Sequence, residues 1–165
     1  MCDFKNIVGL SMEAKKTDVT SEMRLLKHKM LERGLKSTPQ RDELARWIFR
    51  VHDHFTVEDI ILNFRDKGKR ISPATIYRVI QMMVDLEMVI EHDFGTGYKH
   101  YEHTPGHPHH DHFICENCGK IFEFTNIELE NLKEKISADH NFLMTSHSLQ
   151  IFGHCKECTH ENKLL

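Results

Sequence analysis

The chain has no run approaching ~18 consecutive apolar residues, so no segment reads as a membrane-spanning helix. It also does not open on the basic-then-apolar pattern of a secretory leader, because Ile7, Val8, Gly9 and Leu10 make only a short apolar patch. The expectation is a cytoplasmic protein with no membrane partner. His-Glu-x-x-His, the helix-borne pattern of zinc proteases, is missing. The zinc-deaminase signature is missing too, since neither Cys pair follows a proline. Nothing sets a nucleophile beside a base, so an enzyme is not expected; a zinc-dependent hydrolase or a metal-storage protein is the rival class. A large charge of one sign is also lacking. The net charge is −3 over 165 residues, which does not announce a nucleic-acid binder. The split is more telling: 17 of the 22 Lys and Arg lie before residue 104, while residues 104–165 carry nine acidic residues against five basic. That suits a front half that meets phosphates and a back half that holds cations.

What the chain does have is histidine and paired cysteine. There are 14 His and 5 Cys, and four of the Cys form two Cys-x-x-Cys pairs, with Cys2 alone. The length allows one compact domain or two small ones, and 39% hydrophobic with 28% charged residues is a globular composition.

Periodicity divides the chain. Residues 1–21 show no sustained period and read as a flexible arm. Glu22 to Arg33 is helical by pattern, with Met23, Leu26, Met30 and Leu31 on one side and Gly34 as its stop. Thr38-Pro39 and Ser72-Pro73 each read as an N-cap followed by a first-turn proline. Thr56-Val57-Glu58-Asp59 reads as a cap whose acidic third residue reaches back. The period then changes to two, and Met88–Phe94 and Tyr98–His103 read as strands around Gly95-Thr96-Gly97. Pro105, Gly106 and Pro108 mark a boundary. Beyond it come strands over His109–Cys115 and Lys120–Thr125, a helix from about Asn126 to His140, a strand over Met144–His154 and a polar tail.

Two helices joined by residues 68–71 and followed by a hairpin match a winged helix-turn-helix. The second of them is the expected reader, and its non-core positions Thr75, Tyr77, Arg78 and Gln81 can reach phosphates or base edges. Lys67, Lys69 and Arg70 flank its N-terminus, and Lys99 falls on the wing.

Cys115, Cys118, Cys155 and Cys158 supply the four thiolates that a tetrahedral zinc ion favours, with Gly119 easing the turn of the first knuckle. A redox role would place a Cys-x-x-Cys at a helix N-terminus, whereas both pairs are expected to adjoin strands. In His107-Pro-His-His-Asp-His112, strand alternation sends His110 and His112 to one face and His109 and Asp111 to the other. That begins two separate N/O metal sites, completed from among Glu102, Glu123, Glu130, His147, His54 and His103; Fe²⁺, Mn²⁺, Co²⁺ and Zn²⁺ all suit such ligands.

The assembled pattern resembles the ferric uptake regulator (Fur) family of metal-sensing repressors. The resemblance rests on Gly34-Leu-Lys-Ser-Thr-Pro-Gln-Arg41, Ala74-Thr-Ile-Tyr-Arg-Val79, His109-His-Asp-His-Phe-Ile-Cys-Glu-Asn-Cys-Gly-Lys120 and Gly153-His-Cys-Lys-Glu-Cys158. It implies an α+β protein, with an N-terminal winged helix-turn-helix domain over residues 22–103 and a hinge at 104–108. A small α/β dimerisation domain with the four-cysteine zinc site follows over 109–160, then a tail at 161–165. It implies a homodimer, with a higher oligomer left open, that binds an AT-rich inverted repeat in double-stranded DNA, mainly as a repressor. Carried over by motif, Cys115, Cys118, Cys155 and Cys158 hold structural Zn²⁺. His54, Glu102, His110, His112 and Glu123 form the sensing site, and His109, Asp111, Glu130 and His147 an additional one. Lys36 matches a minor-groove contact, and Tyr77 and Arg78 match recognition-helix contacts. Residues 102–112 are one residue longer than the family pattern, which leaves Glu102 and His103 as alternative ligands. Glu123, where peroxide-sensing relatives carry Asp, and Tyr77-Arg78 favour an Fe²⁺ sensor, with peroxide-, Zn²⁺- and Mn²⁺-responsive regulators as alternatives.

Overall fold

The computed structural model describes residues 18–161, and the chain divides into two compact units between His107 and Pro108. Of the expected arm at 1–21, residues 1–17 with Cys2, and of the expected tail at 161–165, residues 162–165, lie outside the described residues.

The N-terminal unit is built from four capped helices. The first, α1 (Val19–Glu32), starts three residues before Glu22, because Asp18 caps it by accepting the Thr20 N–H at 3.0 Å. Residues 18–21 are therefore cap and first turn rather than arm. Met23, Leu26 and Met30 are buried as expected, but Leu31 faces solvent. Gly34 closes the helix at φ +66°, a region L side chains avoid. α2 (Pro39–Ile48) begins at the Thr38 cap, and α4 (Pro73–Asp85) at the Ser72 cap, each with proline in the first turn. α3 (Val57–Asp66) has a full capping box: the Thr56 hydroxyl accepts the Asp59 N–H and the Asp59 carboxylate accepts the Thr56 N–H.

β1 (Val89–His92) and β2 (His100–His103) pair antiparallel, Ile90 opposite Glu102 and Val89 opposite His103. The strands are shorter than the period-two pattern suggests and the wing loop is longer. Phe94 leaves the ladder and is buried against the rings of His92 and His100, at 5.3 and 5.1 Å. Leu44, Ile48, Phe49, Ile60, Ile76, Ile80, Met83 and Met88 form the core that α1 to α4 and the hairpin share. Ile80→Ala is expected to cost this unit about 2–5 kcal/mol, read as a lower urea midpoint at unchanged slope.

In the C-terminal unit, β3 (Asp111–Cys115) is the central strand, antiparallel to β4 (Ile121–Phe124) and parallel to β5 (Gln150–Gly153). α5 (Ile127–Asp139) intervenes, capped by the Asn126 side chain, and α6 (Lys156–Glu161), a helix not expected from the sequence, carries Cys158 and closes the described chain. Residues 109–110 and 144–149 lie outside the strands expected to contain them. Buried apolar side chains are few here: among the described residues, Ile114, Cys115 and Cys158. No helix among the described residues is long and apolar enough to cross a membrane.

Candidate metal centres and the nucleic-acid interface

The four cysteines converge. Cys115 ends β3, Cys118 lies in the turn after it, and Cys155 and Cys158 bracket the start of α6. All four thiols are free of disulfides, and their sulfurs lie within 4.8 Å of one another. The Cys118–Cys155 Sγ separation is 3.8 Å. A tetrahedral zinc–thiolate site has an edge of about 3.8 Å, so the donor set fits structural zinc. The second pair opens a helix as well as following a strand, but its thiols meet those of the first pair. The Cys155 N–H donates to Cys115 Sγ at 3.3 Å, and this bond, with the Cys118 N–H, pulls the Cys115 thiol down to about 5. An Asn117 side-chain bond favours the Cys158 thiolate, but burial and the crowding sulfurs outweigh it and push that thiol up to about 12.

In the N-terminal unit, Glu102 Oε2 lies 3.7 Å from His54 Nε2 and 3.4 Å from His92 Nε2. Glu102 and His103, the alternative ligands, point to opposite faces, as neighbours on a strand do. Glu102 takes the face of His54, whereas His103 turns toward Glu22. His92 belongs to this group, although sequence reasoning missed it. The signal was available in the hairpin register: Ile90 opposite Glu102 puts His92 diagonal to it on the same face.

In the C-terminal unit, His112 pairs with Glu123 across β3 and β4. His110 Nε2 lies 3.7 Å from Glu123 Oε1, and the His110 and His112 rings are 4.9 Å apart. The alternation expected from sequence thus brings His110, His112 and Glu123 to one face. On the other, His109, Asp111 and His147 offer donor atoms within 4.8 Å of one another, and Glu130 of α5 lies 3.6 Å from His147 Nε2. The Asp111 carboxylate is buried, with no hydrogen bond to either oxygen. Sequence reasoning also missed Lys133, one turn beyond Glu130. Its ammonium donates to Glu130 at 2.7 Å, lies 3.8 Å from Asp111 and contacts His147. That hydrogen bond holds the Glu130 carboxyl below its ordinary range. A lysine cation therefore occupies this carboxylate–imidazole set.

The expected reader, α4, exposes Tyr77, Arg78 and Gln81 opposite its buried stripe of Ile76, Val79, Ile80 and Met83. Two predicted contacts have local partners: the Thr75 hydroxyl lies 2.9 Å from Ser72 Oγ in the cap, and Gln81 donates to Asp85 at 2.9 Å. Lys69 pairs with Glu43, while Arg70 is exposed. Lys36 is exposed in the α1–α2 loop, where its carbonyl accepts from Arg41 at 2.7 Å. Lys99 in the wing is held by Asp93 and Glu91.

The family model for the ferric uptake regulator family matches residues 32–152. The ferric uptake regulation protein of Campylobacter jejuni is 36% identical over 130 residues, covering 78% of this chain and 82% of the relative. That of Escherichia coli K12 is 40% identical over 125 residues, covering 75% and 84%. The solved Helicobacter pylori ferric uptake regulator, described as having three functional metal binding sites, superposes with a TM-score of 0.79 at 29% identity, over 87% of this chain and 95% of that one. With its winged helix-turn-helix unit, its four-cysteine zinc cluster and this match, the chain belongs to the ferric uptake regulator family of metal-responsive transcription regulators, which are not enzymes.

Proposed function

We propose that this chain is an Fe²⁺-responsive repressor that binds an AT-rich inverted repeat as a homodimer in the cytoplasm. In this reading the regulatory cation draws ligands from both units: His54 and Glu102 from one, His110, His112 and Glu123 from the other. The observation that supports it is that each unit carries a donor set of its own. Each unit gathers two or three imidazole and carboxylate donors, and each set alone falls short of the ligand number of Fe²⁺. Joining them would restrict motion about residues 104–108 and set two copies of α4 at half-site spacing. Tyr77 and Arg78 would then approach base edges, with Lys36, Lys69, Arg70, Thr75 and Gln81 positioning the protein on the backbone. The relatives are ferric uptake regulation proteins, which supports iron, and Glu123 supports it over a peroxide sensor. Mn²⁺ and Zn²⁺ are the runner-up ions, because a solved zinc-bound manganese uptake regulator superposes with a TM-score of 0.60 at 34% identity.

A second copy is favoured by the apolar surface of the C-terminal unit. Phe122, Phe113 and Ile151 lie side by side across its three strands, each 40–45% exposed, and Ile127, Leu132 and Ile136 of α5 are at least half exposed. Of the additional set, His109, Asp111, Glu130 and His147, we expect that a divalent ion must displace Lys133. Lys133→Ala should therefore strengthen Mn²⁺ binding there about tenfold by equilibrium dialysis.

The deciding experiment is fluorescence anisotropy on an AT-rich inverted repeat, comparing protein stripped of labile metal with protein titrated anaerobically with Fe²⁺, Mn²⁺ or Zn²⁺. Specific binding that appears with metal, Fe²⁺ foremost, is the expected result. Binding indifferent to every metal would overturn the sensing reading.

A further inference from the structure

The N-terminal unit holds a second histidine cluster, on the face of β2 opposite the one that Glu102 shares with His54. His103 is fully buried there, and neither of its ring nitrogens makes a hydrogen bond within the protein. Its ring lies 4.4 Å from that of His107, in the turn after β2, and 5.7 Å from that of His52, in the α2–α3 loop. One donor atom from each of the three imidazoles lies within 4.8 Å of the other two. Glu22 of α1 brings a carboxylate oxygen to 4.0 Å from His103 Nδ1, and that carboxylate is itself buried.

Three imidazoles from separate segments thus converge, and the Glu22 carboxylate lies beside one of them. A buried imidazole with no hydrogen-bond partner is a donor that a bound metal ion would satisfy.

We propose that His52, His103 and His107, with Glu22 as fourth donor, form a binding site for one borderline divalent cation of the Zn²⁺ or Co²⁺ class, contained within the N-terminal unit. A tetrahedral ion has Zn–N distances of about 2.0–2.1 Å, so its donors sit roughly 3.4 Å apart, and binding would draw the three imidazoles closer than the 4.8 Å within which they lie. Three nitrogens and one oxygen suit zinc or cobalt better than the harder Mn²⁺. Binding would tie α1 to the α2–α3 loop and to the turn that leads out of the unit. His107 Nδ1 also lies 3.8 Å from Glu102 Oε1, so this cluster abuts the donor pair of His54 and Glu102 without sharing its imidazoles.

The test uses the full chain with its cysteine-bound zinc retained and labile metal removed, titrated with Co²⁺ under anaerobic conditions. Equilibrium dialysis counts the bound ions, and visible absorption reports their geometry. His52→Ala and His107→Ala should each weaken the same cobalt equivalent by about tenfold or more, with loss of an intense tetrahedral band. His54→Ala should leave that band in place. Combining His52→Ala with His54→Ala should remove two separate equivalents. Melting of the metal-free variants checks the fold, and His52, which lies at the surface, is the conservative arm. Unchanged cobalt stoichiometry and spectrum in both His52→Ala and His107→Ala would overturn the proposal. Loss of the band in His54→Ala would overturn it as well, because the donors would then belong to a single site. No effect of His54→Ala on DNA binding would count against the Fe²⁺-sensing reading alone.

Discussion

Replacing Cys118 with serine, or stripping zinc with a strong chelator, is expected to unfold residues 108–161 while residues 18–107 keep their core. Among its described residues in a single copy, the C-terminal unit has too little apolar burial to stand without a staple. α5 buries no residue, and the unit's described buried apolar side chains are Ile114, Cys115 and Cys158, two of them zinc ligands. Structural zinc contributes about 10–16 kcal/mol of apparent binding free energy at pH 7 in small zinc domains, and here that energy is folding energy. The N-terminal unit is different in kind, because its own core joins four helices and a hairpin. Amide hydrogen exchange should therefore show protection lost in β3, β4 and β5 and retained in α2 and α4. Retained protection in β3 after zinc removal would contradict the argument. The pH dependence has a definite sign. Cys158 is protonated without metal and Cys118 is also shifted upward, so zinc uptake at pH 7 releases protons and the affinity falls as the pH falls.

The second large effect concerns metal-dependent DNA binding. His54→Ala is expected to abolish most of the gain in operator affinity that Fe²⁺ confers, with zinc content unchanged. Converting a mostly open population into a mostly closed one takes a differential of about 5.5 kcal/mol, which no ion can supply unless it binds the closed form more tightly. Losing one ligand of such a site should cut the metal-induced gain by about tenfold or more. Glu102→Gln is the companion variant, nearly isosteric and without the anionic ligand. Anisotropy titrations of the two, with and without metal, are the measurement; an undiminished metal response in both would remove His54 and Glu102 from the sensing role. His92→Ala adds a finer test, because His92 lies closer to Glu102 Oε2 than His54 does. If His92 ligates, this variant should lose response as His54→Ala does.

Much of the fold was legible because its signals are local. A Thr or Ser before proline, and a threonine three residues before an aspartate, satisfy the first free N–H groups of a helix whatever surrounds it. α2, α3 and α4 accordingly begin where the sequence places them. Strand ends were less legible. Phe94 has the right spacing to extend β1, but it gains more by packing between two histidines than by staying in the ladder. Leu31 failed in a similar way: its helical position matches the apolar stripe, yet no element among the described residues covers it.

The sequence by itself determined the chemistry available to this protein: two cysteine pairs with zinc spacing, a histidine run whose alternation separates two donor sets, and the motifs that identify the family. Those are properties of spacing along the chain, and a strand or a knuckle turns spacing directly into geometry. Tertiary structure alone decided which donors meet across long separations. The β1–β2 register put Glu102 rather than His103 beside His54, added His92 to that group and turned His103 toward His52, His107 and Glu22. The packing of α5 laid the Lys133 ammonium into the Asp111–Glu130–His147 set. Such contacts depend on which surfaces pack together to bury apolar area, and no local rule encodes a distance between residues that only packing brings within reach.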